Sequence, residues 1–130
     1  MKLERRRHSR FLPQENIFAA IGGEVVKVGI VKDISPNGMA IEYIAGENSV
    51  SNPTQVDIFL PGNGYYLYNL PCAIKYEIEV CVPHVRHKYQ KILTSKRCGI
   101  EYGMLEERDM EQLKLFIRTH TKVIALRHQR

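Results

Sequence analysis

Cys98-Gly99-Ile100-Glu101-Tyr102, leading into Glu106-Glu107-Arg108-Asp109-Met110-Glu111-Gln112-Leu113-Lys114-Leu115-Phe116-Ile117, is the stretch that decides the fold, because the apolar period changes inside it. Cys98, Ile100 and Tyr102 alternate with Gly99 and Glu101, the period of a strand with one face inward. Leu105, Met110, Leu113, Phe116, Ile117, His120 and Ile124 then recur at intervals of three to five. Acids stand in the first turn and bases near the end, as a helix dipole prefers, so one amphipathic helix is predicted from about Glu107 to about Leu126.

Upstream of that switch the chain reads as strand after strand. Ile17 to Ile21 is a short apolar run, and Gly22-Gly23 predicts a hairpin turn into Glu24 to Val31. There Val26, Val28 and Ile30 alternate with Val25, Lys27 and Gly29, consistent with one face turned inward. Asp33 to Asn37 interrupts the run, and Gly38 opens a strand through Ile44. Val56 to Leu60 alternates until Pro61-Gly62. Tyr65 to Val82 is long for one strand, with Pro71 predicting a bend or an edge. In it Ile74, Tyr76, Ile78 and Val80 share one parity against Lys75, Glu77 and Glu79, the pattern of a half-buried strand.

Short antiparallel strands without crossover helices, then one helix, make an all-β domain with a C-terminal helix: a small closed or nearly closed β-barrel whose edges the helix helps to cover. Residues 1–13 read as an irregular arm closed by Pro13, residues 14–104 as the barrel, and residues 105–130 as helix and tail. At 130 residues this is one domain.

Composition narrows the function. Apolar residues make up 44% and charged residues 25%, ordinary for a globular chain, and no apolar run reaches the roughly 18 residues of a membrane span. The arginine-rich start has no apolar segment to serve as a secretion signal, so the expectation is a cytoplasmic protein without membrane insertion. Cys72, Cys81 and Cys98 have spacings that build neither a disulfide framework nor a zinc site, and are expected as free thiols. No histidine stands at metal-ligand spacing, so no metal is expected. Ser35 lacks a predictable histidine partner and no phosphate-cradling glycine loop of the nucleotide-hydrolysing kind occurs, so neither catalysis nor a cofactor is expected.

The net charge of +5 favours an anionic partner, and its placement matters. Arg5, Arg6, Arg7 and Arg10 crowd the start; Asp33, Ser35 and Gly38 mark the interruption between two strands. Guanidinium forks can bond guanine O6 and N7 or two phosphate oxygens, and stack flat on a base. An ionised carboxylate accepts from the guanine N1 and N2 edge, donors that adenine does not pair there. Tyr76, on the long strand, is a candidate for stacking.

Arg6-Arg7-His8-Ser9-Arg10 resembles the Arg-x-x-x-Arg element of PilZ domains, and Asp33-Ile34-Ser35-Pro36-Asn37-Gly38 is similar to their Asp/Asn-x-Ser-x-x-Gly element. Cys98 to Tyr102 with the acidic helix start looks like their last strand and helix. The resemblance implies a six-stranded antiparallel split barrel and a non-catalytic receptor for cyclic di-GMP. It implies Arg6 and Arg10 on guanine and phosphate, Asp33 on the guanine edge, Ser35 in support and Gly38 allowing a positive φ or a close backbone approach. Arg5 matches the pattern associated with an intercalated pair of ligands, hence two molecules per chain. The expected relay is ordering of the N-terminal arm toward an unidentified protein partner, with motility or biofilm formation as family outputs. Two other readings stay open: a ligand-independent PilZ-fold adaptor, and a basic barrel stacking RNA or single-stranded DNA on its tyrosines, disfavoured because those tyrosines fit cross-strand packing.

Overall fold

The computed structural model describes residues 10–22, 26–45, 55–62, 65–80 and 94–123. In chain order the elements are β1 (Phe11–Pro13), β2 (Phe18–Gly22), β3 (Lys27–Ile34), β4 (Gly38–Ala45), β5 (Gln55–Leu60), β6 (Tyr65–Val80), β7 (Thr94–Tyr102), α1 (Glu107–His120) and β8 (Thr121–Val123). Strands β2-β5-β6-β7-β4-β3 follow one another around a sheet that β2–β3 pairing closes, giving the six-stranded antiparallel barrel with its C-terminal helix. Closure leaves these strands no free edge to template aggregation.

Strand β6 makes closure possible. Its first half pairs with β5 and its second half with β7, and near the end of the first half Asn69 adopts φ +57°, two residues before Pro71. Asparagine tolerates that left-handed conformation better than most residues, and proline tolerates a corner. The barrel interior is filled by Ile21, Ile34, Ile41, Val56, Ile58 and Leu70, and α1 closes one end with Leu113, Phe116 and Ile117, all buried. Each such side chain contributes about 1.5–3 kcal/mol relative to exposure.

Two predicted boundaries shift. The arm is not irregular throughout: Phe11–Pro13 form β1, which meets β3 at Phe11↔Ile34 and lies along β8, and Phe11 packs on the core. The helix ends at His120 rather than near Leu126. Thr121 and Val123 are β-branched and favour an extended chain, and Thr121 satisfies the last turn by donating from both its N–H and its Oγ1 to the Ile117 carbonyl.

The structure settles which side of β3 and of β6 turns inward. Val26, Val28 and Ile30 point outward, while Gly29 and Val31 are buried. In β6 Ile74 keeps the inward side, but Tyr76 and Ile78 are exposed and Glu77 faces inward beside Cys98. In β6 the change of side comes from a bulge, a one-residue register slip between Ile74 and Tyr76; the like slip in β3, between Val31 and Asp33, follows residues 26–30 and acts only on those after it. One extra residue, Lys32 or Lys75, moves everything beyond it to the other face.

Inside the barrel, the Tyr43 hydroxyl donates to Glu77 Oε2. Burial, then Glu77, push the Tyr43 pKa far above its ordinary value. Burial pushes the free thiols of Cys72 and Cys98 up to about 11 and about 12.

Candidate ligand-binding site

The β3–β4 turn is held by Ser35. Its Oγ accepts the N–H groups of Asn37 (3.2 Å) and Gly38 (3.3 Å), and its own N–H donates to the Gly38 carbonyl at 2.8 Å. Serine thus orders the turn by the local bonding that makes it a turn residue. Gly38 has a packing purpose in the fold. Its φ is not positive; instead a Cβ there would drive into the carbonyl oxygen of Ile100 and lie 3.1 Å from Glu101 Cα. Glycine lets the turn press against β7, where the Tyr102 N–H donates to Asn37 O at 2.9 Å.

Asp33 stands just before that turn. The bulge at Lys32 puts it on the outer face, paired with Ala40. Arg10, at the mouth of β1, donates from Nη1 to Asp33 Oδ1 at 2.8 Å, with side chains 32% and 18% exposed. The basic leader and the acid-bearing turn therefore meet, although 23 positions separate them in sequence. Strand β1 enforces the meeting, since Phe11 is registered against Ile34. Arg5 and Arg6 lie outside the described residues.

Strand registers extend the site across the sheet. Asp33 faces Ala40, Ala40 faces Gly99, and Gly99 faces Tyr76, a row running β3-β4-β7-β6 on the outer surface. The middle of the row has almost no side chain. The Tyr76 ring folds down into the space that Gly99 leaves: a Cβ at Gly99 would lie 2.6 Å from Tyr76 Cζ and 2.8 Å from Cδ2. The result is a shelf of small, buried residues with a carboxylate and a guanidinium at one end and, lying over Gly99, an aromatic ring at the other. Both ends are aimed outward by a one-residue bulge, a common device for redirecting a side chain at a functional site.

One edge of the shelf carries a residue that sequence reasoning missed. Arg97 pairs with Glu42 at 3.0 Å in the next outward row, and its Nε is buried without a hydrogen-bond partner among the described residues. The signal was present: Arg97 shares parity with Gly99, so a face that carries the shelf also carries this guanidinium. Across the other edge, Glu101 and Lys75 make an exposed 3.7 Å pair, worth little in solvent.

Such a surface suits a flat, anionic, hydrogen-bonding ligand: apolar floor for a ring, fork donors for phosphate or a purine edge, and a carboxylate for amide-type donors. Among the described residues no helix is long and apolar enough to cross a membrane.

Comparisons with known proteins bear on both fold and family. The chain's fold is similar to the PilZ domain of YcgR from Escherichia coli, solved with c-di-GMP: TM-score 0.68, 15% identity, covering 90% of this chain and 92% of that one. It is similar also to MrkH of K. pneumonia in its c-di-GMP complex (TM-score 0.63, 16% identity, 90% and 54% covered). The Bacillus subtilis inhibitor of motility MotI/DgrA aligns at TM-score 0.55 and 15% identity, over 90% of this chain and 51% of that one. The chain spans about half the length of these last two relatives. No curated protein matches it. The sequence profile of the PilZ domain matches residues 4–119, and the chain belongs to the PilZ domain family.

Proposed function

We propose that the chain is a non-catalytic receptor for cyclic di-GMP, bound on the shelf between Arg10–Asp33 and Tyr76. The observation that carries the reading is the 2.8 Å Arg10–Asp33 pair at the head of a floor made of Ala40 and Gly99. Arg10 uses one fork nitrogen on Asp33, which leaves donors for a phosphate or for guanine O6 and N7. Asp33 Oδ2 is available to the guanine N1 and N2 edge. Gly38 and Ser35 act indirectly, holding the turn so that Asp33 keeps its direction. Tyr76 supplies a ring for stacking.

Arg5 and Arg6 complete the fork set in this reading, with Arg5 recruiting a second ligand molecule. Relay to a protein partner runs through β1. Ligand that draws the residues before Arg10 onto the sheet pulls on a strand bonded to β3 on one side and to β8 on the other. Titration calorimetry on wild type, Arg6→Ala, Arg10→Ala and Asp33→Ala tests the site. Saturable binding by wild type is expected, with two ligands per chain and at least tenfold loss in each variant. Cyclic di-AMP should bind poorly, since a bidentate guanine contact is worth about 1–3 kcal/mol of discrimination. Folded variants that bind as tightly as wild type would refute the assignment.

A further inference from the structure

The outward side of β2 and β5, with Val28 and Ile30 of β3, is a second surface, separate from the shelf and almost free of charge. Registers align Ile30 with Phe18 and Phe59 in one row, and Val28 with Ala20 and Asp57 in the next. Val28 is 53% exposed and Ile30 40%. The Phe18 and Phe59 rings stack at 5.9 Å. Beside them a cavity of about 350 Å³ opens between Asp57, Phe59 and the exposed Tyr68. In a chain whose residues are 25% charged, these two rows carry one charge, Asp57. Contiguous apolar surface of this kind marks an interaction site.

Asp57 decides what fits there. Its Oδ1 accepts the Asn69 N–H at 2.7 Å, and among the described residues no cation pairs with it. A second copy laid face to face would bury this carboxylate against apolar side chains and offer no counter-charge from the same rows, a costly arrangement. A cation set among apolar side chains instead fills the cavity, pairs with the carboxylate and stacks on the neighbouring rings.

We propose that this face docks a protein segment presenting one lysine or arginine flanked by apolar residues. The inference is independent of ligand binding on the shelf. The test is selection of a phage-displayed random dodecapeptide library on the full-length chain, followed by affinity measurements on synthetic copies of the enriched peptides. Enriched peptides should carry one basic residue between apolar ones and shift the amide resonances of Val28, Ala20 and Phe59. They should weaken at least tenfold on Asp57→Asn, which keeps the acceptor for Asn69 and removes only the charge, and on Val28→Glu, whose fold is checked by thermal unfolding. Absence of enrichment, peptides without a basic residue, or unchanged affinity for Asp57→Asn would overturn the proposal. So would a wild-type dimer in sedimentation that Val28→Glu dissociates, since the occupant would then be a second copy.

Discussion

Gly99→Ala separates the barrel's need for this glycine from the ligand's. The added methyl would run into Tyr76 Cε2 and sit 2.6 Å from Cζ and 2.8 Å from Cδ2, far inside the ordinary contact of about 3.5–4.0 Å. Something must yield, and the ring can: it is the end of a two-torsion side chain already 42% exposed. Lifting it off the sheet re-exposes about 60–80 Å² of apolar surface, or about 1.5–2 kcal/mol. Replacing a strand glycine by alanine returns about 0.5–1 kcal/mol. The net loss is about 1 kcal/mol, a fall of about 4 °C in Tm for a domain of this size. Ligand should suffer more. The floor rises by a methyl and the stacking ring leaves its place, so affinity for cyclic di-GMP should drop at least tenfold by calorimetry while far-UV circular dichroism stays unchanged. Tyr76→Ala, which removes the ring but keeps the flat floor, should lose less than Gly99→Ala. Wild-type affinity in Gly99→Ala would refute the shelf, and a loss of more than about 3 kcal/mol in stability would show that the ring is not free to swing.

The same substitution at Gly38 meets backbone instead of a movable ring, the Ile100 carbonyl and Glu101 Cα, so Gly38→Ala should cost at least about 2 kcal/mol in urea unfolding. Phe116→Ala, deleting a side chain 1% exposed from the helix that closes the barrel, should cost about 3–5 kcal/mol. Thiol titration with an aromatic disulfide at pH 8 should find Cys72 and Cys98 unreactive in the native protein and reactive once it is unfolded, because both are buried and their pKa values are raised. Raised folded values also fix the sign of the alkaline response: the two thiols' contribution to stability is complete below about 9 and is lost as pH climbs toward about 11 for Cys72 and about 12 for Cys98. Cys98→Ala should therefore show a shallower fall in stability between pH 8.5 and 11 than wild type.

Much of the fold was legible because its signals are local. The change from period two to helical spacing after Tyr102 located the barrel-to-helix boundary, and Gly22, Pro61 and the Asp33–Gly38 turn each ended a strand where the structure ends one. The facing of β3 was not legible. Its alternation has the right period, but the outer positions Val28 and Ile30 are as apolar as the inner Val31, so a single strand cannot say which side is core. Only the neighbours Ile41 and Ala40, one buried in the interior and one on the shelf, settle it. The end of the helix failed for a related reason. Ile124 continues the helical spacing, yet pairing of Thr121–Val123 with β1 outweighs a weak local preference.

The candidate site divides along the same line. Asp33, Ser35 and Gly38 could be read as a turn, and Arg10 as a fork near it, because short motifs carry their own chemistry. The shelf between them could not, since it exists only through cross-strand register: Ala40, Gly99 and Tyr76 come from three strands and have no motif of their own. Two lysines with exposed side chains, Lys32 and Lys75, matter most to it. Each is the extra residue of a bulge, and were either paired in regular register instead, Asp33 or Tyr76 would take the interior parity. A carboxylate forced inward beside Ile34 and Met39 would be desolvated with no cation in reach, so the Lys32 bulge is what allows an aspartate at this position at all. Lys32→Ala, which keeps the residue count and loses only an exposed side chain, should leave both the fold, followed by thermal unfolding, and ligand affinity, followed by calorimetry, close to wild type. The bulge's geometry, not the lysine's charge, builds this end of the site.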